Sequence, residues 1–194
     1  MKVKYLGSSV KADDVRNYKK PEIALAGRSN VGKSSLLNAL AGSGVAKTSK
    51  TPGRTRMVNF FDFEKFVLVD LPGYGFAKGC KEEQKNWQSM IEGYLHNSPM
   101  LKHVFVLVDS RLEKQTSDEQ MIKFLFFYNV PFTIIATKID KIAKSKRPTA
   151  LRAIAAGFKV GTENVIGVSS VENVGMDLVR KRIDQFVEAC DETV

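Results

Sequence analysis

Eight consecutive residues, Gly27-Arg28-Ser29-Asn30-Val31-Gly32-Lys33-Ser34, fit the pattern G-x-x-x-x-G-K-[ST]. These residue types at this spacing suit one task, holding the phosphates of a nucleotide. The glycines let the backbone curl with its N–H groups inward, and the helix that follows adds partial positive charge at its N-terminus. The Lys33 amine reaches the β- and γ-phosphates, and the Ser34 hydroxyl falls where Mg²⁺ would sit. The motif needs a strand before it and a helix after it. The apolar run Ile23 to Ala26 and the helix-forming run to Leu40 meet both requirements.

Asp70-Leu71-Pro72-Gly73 ends another apolar run, 36 residues beyond Ser34. A carboxylate at the tip of a buried strand suits the Mg²⁺ site of a P-loop NTPase, and the Gly73 N–H can meet a γ-phosphate. Asp and Gly also mark ordinary turns, so D-x-x-G gains meaning only behind a P-loop. Thr137-Lys138-Ile139-Asp140 closes a further run and fits guanine: a carboxylate accepts from both the ring N1–H and the 2-amino group, while the lysine stem covers the ring face. Adenine lacks that pair of donors, which argues against a kinase of the same P-loop class. Ser169-Ser170 would bring a backbone N–H near guanine O6.

The order of these motifs resembles a translation-factor-type GTPase of the TRAFAC class. Its details resemble the EngB (YihA/YsxC) family: Gly27 to Ser34 continued by Ser35-Leu36-Leu37-Asn38, then Thr51-Pro52-Gly53-Arg54-Thr55, then Asp70-Leu71-Pro72-Gly73-Tyr74-Gly75. The resemblance spans essentially the whole chain and implies a minimal Ras-like G domain. It implies a role in large ribosomal subunit assembly, with ribosomal RNA as partner, and older descriptions of the family add cell division and septation. By resemblance the nucleotide is held by Gly27, Arg28, Ser29, Asn30, Val31, Gly32, Lys33 and Ser34, and by Gly53, Arg54, Thr55, Arg56 and Met57. Asp70, Leu71, Pro72 and Gly73 follow, then Thr137, Lys138, Ile139 and Asp140, then Val168, Ser169 and Ser170. Ser34, Thr55 and Asp70 are the implied Mg²⁺ residues, and Lys33, Asn30, Thr55 and Gly73 act on the reacting phosphate.

Tyr74 stands where the water-orienting glutamine of Ras would be, so the expected GTPase is slow by itself. Asn30 offers an oxygen that could hold K⁺ beside the phosphates, where a cation stabilises developing charge; the alternative is that it only orders the loop.

The elements that must position these groups are legible as strands alternating with amphipathic stretches. Candidate strands are Ile23 to Ala26, Val58 to Phe63, Phe66 to Val69, Val104 to Val108, Phe132 to Thr137 and Val165 to Val168. Only Glu64 and Lys65 separate the second and third, which must pair antiparallel. The expected fold is α/β, a Ras-like P-loop G domain over 22–194 with a six-stranded, mostly parallel sheet in order 2-3-1-4-5-6, behind a basic extension over 1–21. Trp87, Met90, Ile91, Tyr94 and Leu95 share one helix face. A capping box at Thr116 and Glu119 starts another helix, and a third follows Gly175 with Met176, Val179, Ile183, Phe186, Val187 and Cys190 on one side. The segment from Ala46 to Arg56 reads as a long mobile loop, of the kind that is usually functional.

The chain has 194 residues, 30 Lys and Arg against 21 Asp and Glu, and a formal net charge of +9. Residues 1–21 carry six bases and two acids, residues 47–56 four bases and no acid, and residues 138–152 six bases and one acid. Such clustering is the footprint of a polyanion partner, or else solvated charge on loops and helix faces. The last cluster includes Lys141, Lys144, Lys146, Arg147 and Arg152. Tyr74, Phe76 and Trp87 are candidate RNA-stacking rings, Trp87 fitting better in the core. His96 and His103 lack metal-ligand spacing. Two cysteines, Cys80 and Cys190, are too few for a disulfide framework. Without a long apolar run or a secretory signal, a cytoplasmic protein with no membrane insertion is expected; a monomer is also expected.

Overall fold

The computed structural model describes residues 3–9, 18–45, 57–75 and 81–191, with the side chains of 81–86, 88, 97, 190 and 191 left aside. Its sheet has seven strands: β1 (Lys4–Ser9), β2 (Glu22–Gly27), β3 (Val58–Asp62), β4 (Val67–Asp70), β5 (Leu101–Asp109), β6 (Phe132–Thr137) and β7 (Val165–Gly167). Their order across the sheet is β1-β3-β4-β2-β5-β6-β7. The last six reproduce the expected order. The expected count of six is corrected to seven, because residues 4–9 of the stretch read as an extension pair antiparallel with β3, Lys4 facing Asp62 and Ser9 facing Val58. An edge strand needs no continuous apolar run, and Lys4-Tyr5-Leu6-Gly7-Ser8-Ser9 has none.

β3 and β4 form the antiparallel hairpin, and the remaining neighbours run parallel. All six residues of β2 are buried, as expected of a central strand covered on both faces. Alternate side chains feed two cores. Ala24, Ala26, Val104, Val106 and Ile134 meet α2 (Lys81–Asn97), α3 (Thr116–Phe127) and α4 (Arg147–Phe158) on one face. Ile23, Leu25, Phe105, Leu107 and Ile135 meet α1 (Lys33–Ala41) and α5 (Met176–Asp191) on the other.

On α5, Met176, Val179, Ile183 and Val187 are buried as the periodicity required. The side chain of Cys190 and all of Cys80 lie outside the described residues. The capping box does not form: Gln115 occupies the N-cap of α3 without a side-chain bond, and its carbonyl accepts from the N–H groups of Asp118 and Glu119. Thr116 is already inside the first turn. Among the described residues no helix is long and apolar enough to cross a membrane.

Candidate nucleotide site

The P-loop connects β2 to α1 at the carboxyl end of the sheet. Gly27 is required by space, since a Cβ there would lie 2.8 Å from Val31 Cγ1 and 3.0 Å from the Leu107 carbonyl. Asn30 takes a left-handed conformation with φ 62°, and its side chain is exposed. Gly32, at φ 118°, is the N-cap of α1 and provides no side-chain cap. The first N–H groups of that helix are therefore open to an anion.

Asp70 ends β4 with one carboxylate oxygen, Oδ1, buried and without a hydrogen-bond partner. Burial pushes its carboxyl up to about 6, with the Lys33 charge pulling the other way. Lys33 is affected in the opposite sense, burial lowering its amine and Asp70 raising it. A buried orphan carboxylate beside Lys33, the residue before Ser34, is the donor chemistry that Mg²⁺ takes, a hard oxygen. Gly73 sits directly over the loop: a Cβ on it would fall 2.8 Å from Ser29 Oγ and 3.2 Å from Lys33 Nζ. Two backbone bonds hold the next residue to the loop, Ser29 N–H to the Tyr74 carbonyl (3.2 Å) and Tyr74 N–H to the Gly27 carbonyl (3.3 Å).

Tyr74 is no stacking surface. Its ring is buried edge-on to Trp87, centroids 5.5 Å apart. Its hydroxyl lies among Arg28 Nε and Asp118 Oδ1, none of the three finding a well-aligned hydrogen bond. Burial, reinforced by the Asp118 charge, pushes the phenol well above its usual range, and burial pushes the Asp118 carboxyl up to about 6. Trp87 packs against the core, as expected, and donates Nε1–H to the Pro72 carbonyl at 2.9 Å.

The guanine-type motif is stapled to the P-loop. The Thr137 hydroxyl lies 2.7 Å from the Val31 carbonyl and 3.0 Å from that of Val108. Lys138, itself left-handed at φ 58°, donates to the Asn30 carbonyl (3.0 Å) and to Asp109 Oδ2 (2.8 Å). Asp109 was missed in the sequence, where it is one more acid at a strand end. Burial raises its carboxyl, but hydrogen bonds from Arg111 and Lys138 prevail and hold it well below the usual range. Asp140 is kept low first by the Ser169 hydroxyl, and Lys141 lies 3.3 Å away. Ile139 N–H bonds to the Val168 carbonyl, which sets the motif against the end of β7. Ser169 donates its own N–H to the Val174 carbonyl, while among the described residues no backbone carbonyl takes the Ser170 N–H.

Gly53, Arg54, Thr55 and Arg56, with the rest of the 46–56 loop, and Phe76 lie outside the described residues. Met57 is exposed at the start of β3. Arg147 proves to be partly structural, its guanidinium bonded to the Ile142 carbonyl and to Glu172. His103 is a core residue, stacked on Phe186 and hydrogen-bonded to Thr133. Two clefts of about 380 and about 440 Å³ are lined by no P-loop residue.

A family model described as a 50S ribosome-binding GTPase matches residues 22–138. The probable GTP-binding protein EngB of Caldanaerobacter subterraneus is 39% identical over 97% of this chain and 100% of its own length. That of Aquifex aeolicus is 44% identical over 94% and 99%. A crystal structure of a probable GTP-binding protein engB superposes with a TM-score of 0.72 at 26% identity, covering 87% of this chain and 99% of that one. Era in complex with MgGDPNP and part of 16S ribosomal RNA shares the fold, with a TM-score of 0.67 at 24% identity over 86% of this chain and 56% of its own. A P-loop, an Asp-Leu-Pro-Gly turn lying on it and a Thr-Lys-Ile-Asp segment stapled beneath it are thus joined by full-length similarity, and the chain belongs to the EngB family of GTP-binding proteins, a P-loop GTPase.

Proposed function

We propose that this GTPase is a Mg²⁺-dependent switch that engages the large ribosomal subunit or its precursors in the cytoplasm, through ribosomal RNA, and acts in the assembly of that subunit. The observation that carries the reading is Gly73 lying against Ser29 and Lys33, because a γ-phosphate entering there must displace or recruit the segment that Gly73 leads. Nucleotide state is then transmitted to the loops 46–56 and 73–83. The matching family description names 50S ribosome binding. Lys144 and Lys146, exposed and free of ion pairs among the described residues, flank the guanine motif and favour a polyanion partner.

Ser34, Thr55 and Asp70 would hold Mg²⁺, which when bound neutralises charge on the phosphates. Lys33 and the N–H groups of the P-loop bind and orient the phosphates, Gly73 N–H faces the γ-phosphate, and Asp140, Lys138 and Ser170 select guanine. Water attacks, and GTP yields GDP and phosphate. With Tyr74 turned into the core, its side chain does not orient the water, which supports a low intrinsic rate. The Asn30 side-chain oxygen would hold K⁺, which when bound supplies an added positive charge beside the phosphates.

The test is sedimentation of cell extract with GDP or a non-hydrolysable GTP analogue. Co-migration with large subunits that depends on the triphosphate supports the reading. Recovery with septal proteins and not with ribosomal particles would replace it.

A further inference from the structure

The end of the sheet opposite the P-loop carries a surface that GTP chemistry leaves unexplained. On α3, Met121, Ile122 and Leu125 face the core, and the helix then ends in three exposed rings: Phe126 at 54%, Phe127 at 78% and Tyr128 at 38% exposure. Large aromatic side chains are rarely left in water side by side without a use. The rings are braced against one another. Phe127 meets Tyr128 at 5.0 Å and 83°, Tyr128 leans on Phe124 at 4.5 Å, and Phe126 stands edge-on to Phe132 at 5.1 Å.

Beside them opens the cleft of about 440 Å³, floored by Leu125, Val130 and Phe132 and walled by Phe126, Val160 and Lys159. Amide side chains stand at its rim, Asn129 and Asn164, the latter held by Arg182 at 3.4 Å. Among the described residues Lys159 forms no ion pair, and Lys123 shares Glu119 with Lys114. Glu163 is the acid at this rim, packed against Gly161.

We propose that this surface receives unpaired nucleotides of RNA, one base entering the cleft against Phe126 and the next stacking on Phe127, with Lys159 and Lys123 along the backbone phosphates. Apolar walls with amide edges and adjacent cations are the chemistry of a base and its phosphate. A wholly apolar partner would use the rings but give the cations no role. The site rests on the ribosomal reading above but lies elsewhere: β6 runs from Phe132 at the cleft to Thr137 at the P-loop, roughly 17 Å of strand. RNA held here is a nucleotide-independent anchor, and the loops beside the P-loop add the contact that GTP gates.

The probe is a fluorescein-labelled oligouridylate of about 12 nucleotides, within the usual single-strand site size, read by anisotropy, with large subunits pelleted in parallel. Phe127→Ala should bind the oligonucleotide about ten-fold more weakly, as expected for one lost stack. Phe127→Tyr should restore binding, and GDP affinity should be unchanged in both. Lys159→Ala should reduce the log-log salt slope by about 0.7. Because Phe127 is largely exposed, these variants fold. Wild-type protein that ignores the oligonucleotide, or Phe127→Ala that binds it as well as wild type, overturns the proposal. So does a Phe127→Ala variant that loses a ribosomal protein and not RNA. Phe127-dependent oligonucleotide binding without any pelleting leaves this surface standing and removes the ribosomal reading; pelleting that ignores Phe127 does the reverse.

Discussion

Thr137→Val tests whether the guanine motif and the P-loop are one mechanical unit. The substitution keeps shape and removes a hydroxyl lying 2.7 Å from the Val31 carbonyl and 3.0 Å from the Val108 carbonyl. Val108 belongs to a strand ladder, whereas Val31 is a buried loop residue whose carbonyl is left with nothing in exchange. A lost hydrogen bond is worth about 1 kcal/mol and an orphaned buried carbonyl adds about as much, so the variant should be about 2 kcal/mol less stable. For a chain of this size that is a fall of roughly 4 to 8 °C in Tm. The P-loop must also be re-ordered on binding, so GDP affinity should drop about ten-fold, equivalent to about 1.4 kcal/mol. Thr137→Ser is the control: it keeps the hydroxyl, gives up a methyl group packed near Gly32, and should cost about 0.8 kcal/mol or less. Thermal melts and displacement of a fluorescent GDP analogue measure both. If the valine variant melts with the serine variant and binds GDP as tightly as wild type, the staple carries no load.

Other outcomes follow from the same geometry. Asp140→Asn should exchange guanine for xanthine preference, because an amide donates where the carboxylate accepted; competition between GTP and XTP reads it. In single-turnover assays at saturating Mg²⁺, phosphate release should be faster in K⁺ than in Na⁺ at equal ionic strength, and Asn30→Ala should abolish the difference while retaining GDP binding. Burial, aided by the Arg182 charge, lowers His103 from the ordinary 6.5 to about 3. The unfolded chain therefore takes up a proton that the folded one refuses. Stability should fall as pH drops from 6.5 toward 3, by up to about 1.4 kcal/mol per unit, and His103→Gln should flatten that slope in urea titrations at a series of pH values.

The six strands β2 to β7 were legible because their apolar runs sit between motifs that demand a strand end. β1 was not, because an edge strand with one exposed face pairs through its backbone, and Tyr5 and Leu6 amid charges leave no pattern. The P-loop, Asp70 and the Thr-Lys-Ile-Asp segment could be read from residue type and spacing alone. Asp109 could not, since what distinguishes it is Lys138 arriving from another strand end. The capping box failed for a related reason: Thr116 and Glu119 have the right spacing, but the backbone turns one residue earlier, at Gln115. Tyr74 showed as the residue that replaces glutamine, while its burial depends on Trp87, thirteen positions on.

That Trp87 is the single tryptophan of the chain makes it an optical reporter placed by the fold itself. Its indole N–H is bonded to the Pro72 carbonyl, one residue before Gly73, and its ring abuts Tyr74. Any movement of the Gly73 segment toward a γ-phosphate must change the polarity at the indole nitrogen and the aromatic coupling beside it. The indole emission maximum of unlabelled protein should thus register exchange of GDP for GTP in real time, reporting from the one tryptophan beside the Gly73 segment.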